Sequence, residues 1–284
     1  MNLDLKKTKI KETPVVVKAD SRALGNSRGV SLVELIIGIV IGAILIAAGL
    51  KVFEAQKDSF EGAGEEALIR SKGRLAIRLL AKEIRLVGFG MPTGVQILSI
   101  SSNSISYRAA LSDLRTTIPP GEPGTNSVSI DDTSLNVVSA LGFADLQNIV
   151  VHDLATDEYE FNSINGEPDT IGAPNTIPLL DPMTKDFTFG INSRFFRVSQ
   201  YNKVTIGLSG TNVQKVVDGQ TLVFVNNVDS SNGLVLKYFD VNGNSTNTIA
   251  DVHKISITLN MIDPENTRAN IQFKTDVTLR NIAP

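Results

Sequence analysis

Hydrophobic positions fall into three regimes along the chain. From residue 30 to 50 they run almost unbroken; from 51 to 87 they recur at helical spacing among charges; after 92 they come in short Val, Ile, Phe and Thr runs broken by Asn, Gly, Asp and Ser. The first regime predicts a helix. About twenty-one residues at ~1.5 Å each span roughly 31 Å, the hydrocarbon thickness of a bilayer. Its one charge is Glu34. A carboxylate there costs about 2.5–3.5 kcal/mol on insertion scales, so Glu34 either finds a cationic partner or snorkels to the headgroups. Gly38 and Gly42 form a Gly-xxx-Gly pair, with Gly49 beyond; this spacing permits close helix approach and equally weakens the helix.

The second regime predicts a charged amphipathic helix without proline. At 100° per residue Leu68, Leu75, Leu79 and Leu86 share an azimuth, with Ile69, Ala76, Leu80 and Val87 beside them and Ile77 and Ile84 at the edge, a wide apolar face expected to meet the core. Arg70, Arg74, Arg78, Lys82 and Arg85 line the opposite side, and Glu54, Asp58, Glu61 and Glu65 precede them. The basic stripe either faces solvent or lies against the acidic stripe of another, axially displaced subunit, where it sets register more than affinity. Gly62-Ala63-Gly64 is a place for a bend. The helix is expected to stop at Gly88-Phe89-Gly90-Met91-Pro92. One helix from about 31 to 87 would be near 85 Å long.

The third regime predicts strands at 95–100, 104–107, 127–130, 135–138, 149–152, 194–198, 204–208, 221–227, 234–239, 253–262 and 270–279. The last two form a hairpin across Asp263-Pro264-Glu265-Asn266. Two loops rich in Pro, Gly, Asn and Asp, 119–125 and 162–186, are the natural places for partner-specific surface. The fold class is thus α+β: a long N-terminal helix packed on an antiparallel, β-rich C-terminal head.

Charge orients this plan. Residues 1–29 are polar and without periodicity, and carry seven basic against three acidic side chains, net +4; by the positive-inside rule this end stays in the cytoplasm. The remainder carries 20 basic and 27 acidic side chains, net −7, which argues against nucleic-acid binding by the exported part. About 195 residues follow the two helical regimes, enough for one globular domain. No cysteine occurs, so no disulfide staples a head whose compartment permits one. A secretory signal would have an apolar core of about 7–15 residues and a small-x-small cut; this core is longer, and a charged helix follows it, so the segment is expected to be kept.

The run Arg28-Gly29-Val30-Ser31-Leu32-Val33-Glu34 resembles the processing site of type IV prepilins and type II secretion pseudopilins. The resemblance implies cleavage between Gly29 and Val30, methylation of the Val30 amine, and a glutamate, here Glu34, at the fifth processed position; the family's usual first residue is phenylalanine, and Val30 departs from it. The new amine of one subunit could then meet the Glu34 carboxylate of a neighbour inside an apolar bundle, where an unpaired charge is costly. The helix end from Leu79 to Gly90 resembles the minor pilin family called PilW; the closing run from Phe273 to Asn281 resembles that of PilW and the J-type pseudopilins, as does the strand and turn from Leu234 to Gly243. No such likeness covers 93 to about 220.

This resemblance implies a leader at 1–29, a membrane and filament-core helix at 30–53, an amphipathic helix at 54–90 and a β-rich exported head at 91–284. It implies a structural subunit of pilus assembly or initiation without catalysis or cofactor. Its partners would be other minor and major pilins, the prepilin peptidase and the inner-membrane assembly platform. The chain would cross the bacterial inner membrane once with a periplasmic head, then join a pilus at the cell surface. The alternative is a J-type minor pseudopilin of a type II secretion system; a third class is a membrane-anchored exported enzyme or binding module.

Candidate chemistry is sparse. His152 and His253 are the only histidines, and neither has a neighbour of zinc-ligand spacing. His152-Asp153 resembles half of a triad without a marked nucleophile, and reads as a surface or strand-end histidine. Asp240, Asn242, Asn244 and Asp251 have the oxygen spacing of a calcium loop but lack its glycine at the sixth position; an Asn-Gly hairpin turn accounts for the pattern, and no metal is expected.

Overall fold

The computed structural model describes residues 31–119, 126–172, 174–188, 196–263 and 270–281. The chain divides into two compact units, Met1–Ser59 and Phe60–Pro284, and the long helix α1 (Leu32–Ile84) contributes to each. In the first unit the apolar side chains of α1 are exposed, Leu32 by 74% and Phe53 by 65%. Helical structure continues through Gly62-Ala63-Gly64.

In the second unit α1 buries Ile69, Gly73, Ala76, Ile77, Leu80, Ala81 and Ile84. This corrects the expected inward face. The leucines at its centre point out, with Leu68 55%, Leu75 61% and Leu79 38% exposed. The reason is steric. The sheet approaches too closely for large side chains at every position, and glycine and alanine admit it: a Cβ on Gly73 would stand 2.1 Å from Phe273 Cε2. After Ile84 the chain turns through Gly88 (φ 74°) and Gly90 (φ 73°), at the expected stop. Asn281 Nδ2 donates to the carbonyls of Arg85 and Val87, 3.2 Å each, satisfying oxygens that a helix end leaves open.

The strands are β1 (Ile97–Ile100), β2 (Ser104–Ala109), β3 (Arg115–Thr117), β4 (Asn126–Val128), β5 (Ser134–Val137), β6 (Asn148–Asp153), β7 (Tyr159–Ser163), β8 (Asn175–Pro178), β9 (Phe187–Thr188), β10 (Phe196–Ser209), β11 (Asn212–Val217), β12 (Gln220–Asn226), β13 (Leu234–Phe239), β14 (Lys254–Ile262) and β15 (Asn270–Thr278). A long N-terminal helix followed by antiparallel β-structure is the α+β, pilin-like plan expected. β10 is the trunk of the largest sheet. Its C-terminal half pairs with β2 and β11, and its N-terminal half with β3 and β6, β7 lying beyond β6.

Two expected strands, 194–198 and 204–208, are therefore parts of one 14-residue strand wherever described; 194–195 lie outside the described residues. The expected loop 162–186 is also corrected: it holds β8, which pairs with β5, and bridges Asp169 to Thr176 and Ile164 to Leu179. Most of the other expected loop, 120–125, lies outside the described residues. β13, β14 and β15 form a separate antiparallel sheet, with β14 and β15 paired from Lys254–Thr278 to Ile262–Asn270; residues 264–269 of their connection are outside the described set.

Two principal cores result. In one, α1 from Ile69 to Ile84 packs with Tyr107 and Ile206 of the large sheet and with Ile257 and Val277 of the separate sheet. In the other, Leu135, Val151, Ile177, Phe187, Phe196 and Val198 gather within 118–198. A smaller cluster of Met91, Val150 and Tyr201 lies on the other face of β6 and β10, under the turn after α1.

Candidate functional site

Among the described residues α1 is the one helix long and apolar enough to cross a membrane. At its start the carbonyl of Ser31 accepts from the N–H groups of Glu34 (2.9 Å) and Leu35 (3.1 Å). Glu34 thus stands in the first turn, where a carboxylate suits the positive end of the helix dipole, and it is exposed. Gly38 and Gly42 have open space beside their Cα atoms, so nothing among the described residues occupies the approach they offer. Gly29 and Val30 lie outside the described residues.

Residues 24–50 match the prokaryotic N-terminal methylation motif. This supports a pilin or pseudopilin role in pilus or secretion assembly, with the apolar helix as membrane anchor. The matched stretch holds Gly29, Val30, Glu34, Gly38 and Gly42 together. No curated protein and no solved structure matches the chain.

Further along α1, Arg70, Arg74, Arg78 and Lys82 are exposed, as is Arg85 just past its end, as expected. Arg70 Nε donates to Glu66 Oε1 one turn earlier, at 3.1 Å. A groove of about 540 Å³ runs along this face, lined by Ala67, Arg70, Ser71, Arg74, Leu75 and Arg78. The basic stripe lies on the exposed side that the spacing predicts, but exposed leucines, which the spacing assigns to the core, border it.

The remaining titratable groups serve the fold. His152 stands next to the end of β6, as the strand-end reading expects, but is buried there instead of on the surface: its row across the sheet, Arg197 on one side and Tyr159 on the other, faces the turn after α1, where Arg197 reaches the Gly90 carbonyl. Its carboxylate partner is Asp157, with His152 Nε2 2.7 Å from Asp157 Oδ1. Asp153 instead accepts from the Ala155 N–H and the Thr156 hydroxyl. Asp157 also accepts from the Thr93 N–H at 3.3 Å. Burial pushes the Asp157 carboxyl up, but hydrogen bonds from Thr93 and His152 outweigh it and hold the group below the usual carboxylate range.

The proposed calcium spacing resolves into a turn. Asp240 Oδ1 accepts from the Asn244 N–H at 2.7 Å and Oδ2 from Asn244 Nδ2 at 3.1 Å, while Asn242 precedes Gly243 (φ 84°) and Asp251 belongs to the short helix Ile249–Asp251. Among the described residues no group of three or more His, Cys, Asp or Glu side chains is gathered for a metal.

Proposed function

We propose that this chain is a minor pilin of the PilW kind, a structural subunit that takes part in starting or building a type IV pilus. A peptidase removes 1–29 by cutting between Gly29 and Val30, the Val30 amine is methylated, and 30–53 moves from the inner membrane into a helical bundle. Glu34 is paired in both settings. Gly38 and Gly42 let neighbouring helices approach. Residues 54–90 and 91–284 form the exported head. One observation carries the reading: the methylation-motif match coincides with an apolar helix whose one early carboxylate lies five residues past Gly29.

The test is mass spectrometry of the protein's natural N-terminus. A methylated amine on Val30 is the expected result; protein still beginning at Met1, or beginning well past Leu50, overturns the reading. Gly29→Leu should leave the chain at its unprocessed mass, and Glu34→Val should insert in the membrane yet fail to enter filaments. Normal filament recovery of Glu34→Val would defeat the pairing mechanism.

A further inference from the structure

We propose that the sheet face beside the turn after α1 holds a phosphate-binding site built on Arg115 and Arg197. Strand register puts the two together. Arg197 of β10 stands opposite Thr117 of β3 on one side and His152 of β6 on the other, and Arg115 stands opposite Ser199, two residues further along β10. Residues directly opposed, or two apart on one strand, share a face of the sheet, so the guanidinium groups are diagonal neighbours with the Thr117 hydroxyl and the His152 ring beside them.

No opposite charge answers them. Neither arginine has a carboxylate partner among the described residues, and Asp157 is already held by His152 Nε2 at 2.7 Å and by the Thr93 N–H at 3.3 Å. Arg197 is half-buried and gives one Nη to the Gly90 carbonyl at the long distance of 3.5 Å. Its Nε is buried with no partner among the described residues, as is His152 Nδ1 on the same row. A buried donor left open is unfavourable, and more so on a charged group. Burial, then the Arg115 charge, pushes the Arg197 guanidinium below its usual range, as two uncompensated cations should.

The chemistry selects a doubly charged oxyanion. A phosphate group carries about −1.5 to −2 at pH 7, matching the two guanidiniums, and its oxygens are enough to accept from Arg197 Nε, the Arg115 fork and the Thr117 hydroxyl at once, where a carboxylate has only two. Arg115 is exposed, so the ligand enters from solvent. Free phosphate and a phosphate ester present the same group.

The test is calorimetric titration of the detergent-solubilised full chain with inorganic phosphate at constant ionic strength. Saturable heat at one phosphate per chain is expected. Arg115→Gln should weaken binding by roughly tenfold or more, the scale of a lost charge-assisted hydrogen bond, with an unchanged melting transition because the side chain is exposed. Arg115→Lys should recover only part of the affinity, since an ammonium keeps the charge without the fork. Arg74→Gln with Arg78→Gln, on α1, should leave binding untouched.

Glycerol phosphate titrated alongside tells the sources apart: affinity equal to or above that of inorganic phosphate marks an ester as the natural ligand, and a marked loss marks the free anion. Absence of saturable heat overturns the proposal. So does full affinity in Arg115→Gln, or loss of the heat in the Arg74→Gln, Arg78→Gln chain, which would put the anion on α1. The site does not depend on removal of 1–29, so the N-terminal mass and the phosphate titration fail independently.

Discussion

The ring of Phe273 lies against Gly73, so that one added carbon on the glycine would fall 2.1 Å from Cε2 and 2.6 Å from Cζ. This contact sets how closely β15 approaches α1. Gly73→Ala should therefore destabilise the second unit by about 1–3 kcal/mol through overpacking, despite the better helix propensity of alanine. Gly62→Ala, where the space is open, should instead stabilise it by up to about 1 kcal/mol. Thermal melts of the two variants should move in opposite directions.

Lys215 on β11 meets Glu83 on α1 at 2.6 Å, with only 12% and 20% of the two side chains exposed. Lys215→Ala leaves a mostly buried carboxylate without its cation and should cost about 1–3 kcal/mol, between the values for surface and buried pairs. Arg70→Ala breaks an exposed pair with Glu66 and should change stability by less than about 1 kcal/mol. Denaturant midpoints of the two variants measure the contrast.

Alkaline stability should depend on the tyrosines. Burial, then the charge of Glu83, pushes the Tyr107 phenol well above its ordinary value; burial likewise raises Tyr238 and Tyr201. Unfolded tyrosines release protons near pH 10 while these folded ones keep theirs, so the unfolded state binds fewer protons there. Stability should be full below about pH 10 and fall as pH rises towards the folded-state values. Tyr107→Phe loses a 3.2 Å hydrogen bond to the Glu83 carbonyl, costing about 1 kcal/mol at neutral pH, yet should show a shallower alkaline decline in melting temperature.

Leu75→Ser and Leu79→Ser should leave the fold intact, because both side chains face away from the core; surface changes of this kind stay within about 0.5 kcal/mol. Unchanged melts with reduced recovery in filaments is the expected pair of results. A drop of several degrees would mean that these leucines are buried after all.

The positions of the helix, its stop and the closing hairpin were legible because each rests on a strong local signal: an unbroken apolar run, paired glycines before Pro92, and two long alternating strands. The inward face of α1 was not, since hydrophobicity ranks leucine above the Gly73, Ala76 and Ala81 that close packing selects. The continuity of β10 was hidden at Asn202-Lys203, polar residues that resemble a turn. There the Asp218 carboxylate accepts from the Lys203 N–H and the Asn202 amide, a long-range partnership that local pattern does not carry. The burial of His152 was hidden for the same reason, its partner Asp157 being fixed by the β6–β7 turn instead of by sequence adjacency. Of the candidate site, the methylation motif was legible by spacing, and the exposed leucines beside the arginines emerged only once the buried face was known.

β10 carries a kinetic consequence. Its one strand is hemmed by segments from 104–109, 115–117, 148–153 and 212–217, so no prefix of the chain ending before Val217 can complete it. Much of its pairing is between residues far apart in sequence, the kind that forms slowly because long loops must close first. A chain emerging on the far side of a membrane would hold an unfinished sheet until its final third arrived, and in that interval it would need a chaperone or crowding neighbours kept at a distance.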